Sequence, residues 1–371
     1  MNSIQQAHQI GQAIWVDDFR RAWLKSGELK RLVDLGITGL TANPTIMERA
    51  IVESHDYDEA IARLAREGKN PAEIYESMAV EDIRAAADLM RPVWDETRGL
   101  HGYPCLEINP LVAYDTGTTV AEGRRLFRAL DRPNVMVKVP ATPEGLPAIR
   151  TLTAGGVNVN VTLIFSLEAY AEVRKAYFYG LEEALHGGAR RMGGVASMAS
   201  FFLSRIDTLV DSLLEERIRR GHDEVRGLLG KAAIASARLA YQDFKDEFYG
   251  KGFRRLSALG ARVQRPLWAS TGTKNPAYGD VRYVESLIGP DTVNTLPVAT
   301  LEAFLDHGRT EASLERDIPE ARQALAGLRE AGIDMKQVAD KLLADGVTAF
   351  SDSFRSLLAH IEEKKLAISR A

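Results

Sequence analysis

Short apolar runs alternate with longer helical patterns along the whole chain, and one of these runs restricts the fold more than any other feature. In VNVNVTLIF (157–165), Val157, Val159, Val161, Leu163 and Phe165 fall on one face of an extended segment. Asn158, Asn160, Thr162 and Ile164 fall on the other, because side chains alternate across a strand. An open α/β sheet is covered by helices on both faces and has little use for an Asn–Asn–Thr row. A closed barrel can use it: the outer face meets helices, while the inner face turns polar towards one mouth. The same alternation separates Glu107 and Asn109 from Leu106 and Ile108, and Asp17 from Val16.

Strands are expected at 14–18, 39–43, 105–109, 135–139, 158–164, 194–200, 266–271 and 292–297. Helical spacing is clearest at 167–185, where Tyr170, Val173, Tyr177, Leu181, Ala184 and Leu185 recur and Ser166 stands as N-cap. Eight strands alternating with helices predict parallel pairing and a closed (β/α)8 barrel of the TIM type, with an open doubly wound sheet as the competitor. Two stretches, 44–104 and 201–265, exceed a simple strand–helix unit. Both are charged and helix-rich without a long Gly/Ser/Pro linker, so they read as helices added to a single barrel domain over 1–371. The tail, 300–371, carries a further helical pattern at Phe350, Phe354, Leu357, Leu358 and Ile361 and is expected to pack on the barrel.

Composition removes several classes of function. A net charge of −4 gives no bulk field favouring nucleic acid or an anionic membrane. No apolar run approaches the ~20 residues of a bilayer span, and MNSIQQAHQIGQ lacks the basic start and apolar run of a secretory leader. Cys105 is the only cysteine, so no intrachain disulfide can form and a reducing, cytoplasmic setting is expected. The seven histidines show no HExxH or comparable spacing, and no metal is expected. GGARRMGG (187–194) does not match GxGxxG and reads as a loop, while EERIRRGHDEVRGLLGK (215–231) interleaves acids with bases and reads as a solvated helix.

The chemistry centres on NVMVKVPAT (134–142), where Lys138 interrupts a run of valines. A hydrated ammonium in such a strand must escape to water, meet a carboxylate, or be wanted uncharged as a nucleophile. Glu107 and Asp17 stand at the ends of two other expected strands, on faces unlike their apolar neighbours. A neutral amine can attack a carbonyl and form a Schiff base, and two separate carboxylates can then act on the released water and on a substrate hydroxyl. Asn160 and Thr162 offer neutral hydrogen bonds to a polyol or an ordered water. Asn43 does the same or, preceding Pro44, simply makes a turn. STGTKNP (270–276) supplies hydroxyls, a glycine and Lys274, which suits a phosphate, and Ser200 with Arg205 offers a second side to such a site.

Taken together, VMVKVPAT, VNVNVTLIFS, TANPTI and ASFFLSRID resemble the transaldolases, over nearly the whole chain, and RPLWASTGTKNPAY and TVNTLPVATLEAF place the likeness with their long bacterial branch. The resemblance implies a circularly permuted class I aldolase barrel with the lysine on its fourth strand. It implies transfer of a dihydroxyacetone unit from fructose 6-phosphate or sedoheptulose 7-phosphate to glyceraldehyde 3-phosphate or erythrose 4-phosphate, in the non-oxidative pentose phosphate pathway and without a cofactor. By the same resemblance Lys138 is the Schiff-base amine, Glu107 and Thr162 hold the catalytic water, and Asp17 moves the proton during carbon–carbon cleavage. Asn43 and Asn160 would bind donor hydroxyls, Ser200, Arg205 and Lys274 the phosphate, and Phe202 lines the site. Relatives that release free dihydroxyacetone tend to carry glutamine and tyrosine where this chain has Glu107 and Phe202, which favours the transferase over such an aldolase or a non-catalytic sugar-phosphate-binding barrel. Leu111 occupies a position where the family usually has arginine. The partners expected are phosphorylated sugars, with no nucleic acid or membrane and self-association left open.

Overall fold

Runs rich in valine, isoleucine and leucine can be buried on both faces only as parallel strands under a cover of helices, and each expected run becomes such a strand. In the computed structural model, which describes residues 1–189 and 192–370, these are β1 Gln12–Val16, β2 Gly39–Thr41, β3 Tyr103–Glu107 and β4 Met136–Pro140. They continue as β5 Val159–Ile164, β6 Ser197–Phe202, β7 Gln264–Ala269 and β8 Thr292–Leu296. All pair in parallel and in chain order, and β8 closes on β1 with Trp15 opposite Thr295. β1 ends before Asp17, which therefore stands just beyond the strand at the mouth. β6 begins three residues later than 194 and runs through Phe202, so the following helices begin only at Ser204.

Inside the barrel, side chains set which residues the strands tolerate. Trp15 leans across β2, where a Cβ on Gly39 would lie 2.3 Å from its indole ring, so only glycine fits there. Beneath this, Arg265 of β7 is buried and donates to the Thr292 and Leu100 carbonyls at 2.8 and 3.2 Å. Its guanidinium lies 3.4 Å from His101 Nδ1, and His101 stacks on His8 with ring centroids 6.0 Å apart.

The alternation expected over 157–165 holds through Thr162 and then breaks. The register between β5 and β6 shifts between Val161 and Ile164, and Leu163 adopts φ 60°. This bulge inserts one unpaired residue and resets the faces beyond it. Leu163 is turned towards the tail, where a Cβ on Gly346 would come within 2.9 Å of its side chain.

The connections match the charged, helix-rich stretches. Pro44–Val52, Asp58–Arg66 and Pro71–Glu96 separate β2 from β3. Ser204–Arg219, the 3-10 turn Asp223–Leu228, Ala232–Phe248 and Arg254–Ala258 separate β6 from β7. The continuous helix expected over 215–231 is corrected here: it stops at Arg219, Gly221 turns the chain at φ 96°, and Val225 is buried. Ser166 caps Leu167–His186 as expected, accepting from the Ala169 amide. Of the loop expected at 187–194, the described residues belong to no helix or strand, while Arg190 and Arg191 lie outside the described residues.

The tail forms Val298–His307, Ile318–Glu330 and the long helix Met335–Arg370. The last crosses the mouth, packing on Pro44–Val52, Pro71–Glu96 and Ser204–Arg219. Thr45 donates to Ser353 at 2.8 Å, Phe354 meets the edge of Tyr75, and Lys364 reaches Asp58 and the Ser54 carbonyl. Among the described residues no helix is long and apolar enough to cross a membrane.

Candidate active site

Strand ends, the segments that follow them and the tail helix enclose a cavity of about 170 Å³ at the mouth. Its floor is polar because the inward parity of β1, β2, β4, β5, β6 and β8 delivers Asp17, Thr41, Lys138, Thr162, Ser200 and Thr295. Its rim is Asn43, Phe202, Arg205, Ser270, Lys274 and, from the tail helix, Phe350. A larger cleft of about 700 Å³ between Ser204–Arg219 and the start of the tail helix holds none of these groups.

Lys138 is held by two contacts. Its Nζ lies 3.1 Å from Glu107 Oε2 and 3.0 Å from the Ala42 carbonyl oxygen. Both side chains are all but sealed from solvent, with Lys138 5% and Glu107 3% exposed. Glu107 approaches from behind the amine, and its far side borders a separate cavity of about 120 Å³ shared with Tyr75, Asn109 and Glu122. Burial raises the Glu107 pKa, and the neighbouring ammonium only partly offsets this. The Asp17 carboxyl is likewise raised by burial, against the hydrogen bond from Thr41 (2.6 Å) and the attraction of Lys138. Thr41 also touches Thr295 at 2.9 Å. The site thus holds one amine and two carboxyls whose proton affinity exceeds that of ordinary carboxylates.

The remaining candidates take distinct places. Thr162 Oγ1 is buried and bonds no described residue, which leaves it for a molecule in the cavity. Asn43 caps Pro44–Val52, its Oδ1 accepting from the Ile46 amide at 3.0 Å, and it also lines the cavity. Asn160 sits one layer deeper, fully buried, accepting from Ser200 at 2.6 Å and donating to Cys105 Sγ at 3.6 Å. The single Ser200 proton is therefore spent on Asn160, and its lone pairs face the cavity. Cys105 is an inert thiol, with burial pushing its pKa up to about 12. Arg205 lies over the Phe202 and Phe350 rings, 5.5 and 5.8 Å from their centroids. Burial lowers its pKa, against the opposing pull of Asp17 and Glu107.

Sequence reasoning passed over Thr41, Thr295 and Phe350. Thr41 carried a signal, sharing parity with Asn43 in TANPTI. Phe350 carried none, since nothing local says which side of a tail helix faces a mouth built far upstream. Leu111 is 45% exposed and does not line the cavity. Among the described residues no group of three or more His, Cys, Asp or Glu side chains is placed to hold a metal.

The sequence is similar to known proteins over nearly its whole length. The family described as Transaldolase/Fructose-6-phosphate aldolase matches residues 14–361. A protein named transaldolase from Trichodesmium erythraeum is 43% identical, over 98% of this chain and 97% of its own length. One of the same name from Thiobacillus denitrificans is 45% identical over 97% of this chain and its full length. A transaldolase 2 from Nostoc sp. is 43% identical over all of this chain and 99% of its own.

Proposed function

Because the chain belongs to the transaldolase/fructose-6-phosphate aldolase family, we propose that this cavity carries out the transaldolase reaction and assign its side chains accordingly. The enzyme moves a dihydroxyacetone unit reversibly from a ketose phosphate to an aldose phosphate through a lysine Schiff base. The observation that carries the site assignment is the buried Lys138–Glu107 contact at 3.1 Å, opening onto a cavity that Asp17 also lines.

Glu107, with its proton affinity raised by burial, takes a proton from Lys138. The neutral amine attacks the ketose carbonyl carbon. A proton of the attacking nitrogen passes to the new alkoxide. Glu107, through a water shared with the unpaired Thr162 hydroxyl, then returns its proton to the carbinolamine hydroxyl, which leaves as water while the nitrogen lone pair forms the iminium. Asp17 accepts the proton of the C4 hydroxyl as the C3–C4 bond breaks, and the bonding pair moves into the iminium to give an enamine. The aldehyde departs, and the acceptor aldehyde takes its place. Attack by the enamine, with Asp17 now giving its proton to the new alkoxide, reverses the sequence.

Arg205 and Lys274, the two cations on the rim, take the substrate phosphate. Asn43 uses its amide N–H groups for donor hydroxyls, since its oxygen is committed to the helix cap. Ser200, whose proton is given to Asn160, accepts from a hydroxyl rather than donating to phosphate. A single buried thiol, Cys105, accords with the reducing cytoplasm proposed as the setting.

The test is borohydride reduction in the presence of fructose 6-phosphate, followed by intact and peptide mass spectrometry. A dihydroxyacetone-sized adduct on the Lys138 peptide is expected, and none on a folded Lys138→Ala variant. Bound ligand without an adduct would remove Lys138 from the role given to it.

A further inference from the structure

Arg205 and Lys274 reach the cavity from different segments, and no hydrogen bond or ion pair joins the charged end of either to another described residue. Their separation must be set by something else. The helix Ser204–Arg219, which carries Arg205 in its first turn, is tied through three of its residues to the chain that follows β7. The Ser204 amide donates to the Ser270 carbonyl at 3.0 Å, and the two hydroxyls lie 2.9 Å apart. Tyr283 donates to Asp207 Oδ2 at 2.7 Å, and Tyr278 donates to Asp211 Oδ2 at 2.6 Å. The other oxygen of each carboxylate accepts a backbone amide, Ala233 N at 2.8 Å and Gly230 N at 2.7 Å. Spacings of three and four put Ser204, Asp207 and Asp211 on one helix face. Lys274 lies on the loop between the first and second of the anchored residues, Ser270 and Tyr278.

Lys274 also borders a second cavity, about 150 Å³, lined by Asp207, Asp211, Glu215, Tyr278 and Tyr283. An ammonium beside carboxylates would normally be drawn to them. Asp211 is instead saturated by neutral donors.

Resting on the reading of Lys274 and Arg205 as the phosphate cations, we propose that Tyr278 and Asp211 are positioning residues for phosphate recognition. Their hydrogen bond pins the Lys274 loop to the helix that carries Arg205. It also keeps Asp211 occupied, so that the Lys274 ammonium is left for the substrate.

Tyr278→Phe removes one hydroxyl and frees an Asp211 oxygen to compete for Lys274. The KM for fructose 6-phosphate and the inhibition constant of inorganic phosphate should each rise about tenfold, with kcat within about twofold of wild type. Adding Asp211→Asn removes the competing charge and should recover part of the phosphate affinity, a rescue that general loosening would not produce. Tyr283→Phe deletes the equivalent hydroxyl at Asp207, which borders the same cavity but does not anchor the end of the Lys274 loop; it should lower Tm and weaken phosphate less than Tyr278→Phe does. Lys274→Ala, measured alongside, separates the two readings. If it leaves phosphate inhibition unchanged, the phosphate site itself is misassigned and the proposal falls with it. If it weakens phosphate while Tyr278→Phe does not, or Tyr283→Phe weakens it equally, or the double variant recovers nothing, the positioning role is overturned.

Discussion

Replacing Lys138 by methionine keeps an unbranched side chain one atom shorter and removes its charge, which isolates what the ammonium does for Glu107. With the pair ionised, opposite unit charges 3.1 Å apart attract by about 5 kcal/mol at an effective dielectric constant of about 20. That agrees with the ~3–5 kcal/mol lost when one partner of a buried pair is removed. The loss cannot be constant with pH. Burial already raises the Glu107 pKa, and Lys138 is the main influence holding it down. In Lys138→Met the carboxyl therefore rises further. An acid whose folded pKa lies above its unfolded value binds more protons in the native state. It consequently costs stability only above the unfolded pKa of about 4.5, at about 1.4 kcal/mol per pH unit until the folded pKa is reached. Wild type shares this cost up to its own raised Glu107 pKa, so the variant should match it near pH 4.5 and fall behind only above that point, by up to ~3–5 kcal/mol. Adding Glu107→Gln should restore most of the loss and flatten the dependence. Urea unfolding of wild type, single and double variants from pH 4.5 to 8 measures this directly. A deficit independent of pH, or a double variant no more stable than the single, would refute the coupling of the two groups.

The floor of the barrel predicts the opposite sign. His101 is pushed down to about 2 by burial and by Arg265, and His8 is lowered for the same reasons. Both gain protons on unfolding, so below pH about 6.5 stability should fall by up to ~1.4 kcal/mol per unit for each. His101→Asn should show a shallower acid limb in urea unfolding, and an unchanged limb would contradict the assignment. At the mouth, Phe350→Ala removes one of the two rings beside Arg205, a contact of about 1 kcal/mol. The KM for fructose 6-phosphate should rise about fivefold with kcat little changed; an unaltered KM would mean that the tail helix does not help to place the guanidinium.

Much of the site was legible in the sequence because parity along a strand is local. Once 135–139 and 105–109 are strands, Lys138 and Glu107 must face the side opposite their apolar neighbours, and Asn160 and Thr162 likewise in β5. The order of eight runs separated by helices carries the closed parallel barrel in the same way, since a right-handed crossover leaves little choice in how successive strands pair. The likeness over nearly the whole chain supplied roles that parity cannot. Boundaries were less legible. Hydrophobic runs mark strand ends only to within a few residues: Asp17 falls just past β1, although its amide still donates to the Leu296 carbonyl.

What only the tertiary structure decided depends on residues far apart in the chain. The bulge at Leu163 follows from how β5 meets β6 and from the tail helix beside it at Gly346, and alternation alone extends the strand straight through. Ser200 gives its proton to Asn160 because two strands stand in register, which moves it from donor to acceptor. Phe350 reaches Arg205 across 145 positions of sequence, and Tyr278 reaches Asp211 across 67. Local periodicity fixes which face a residue is on; only closure of the barrel and docking of the last helix fix what that face meets.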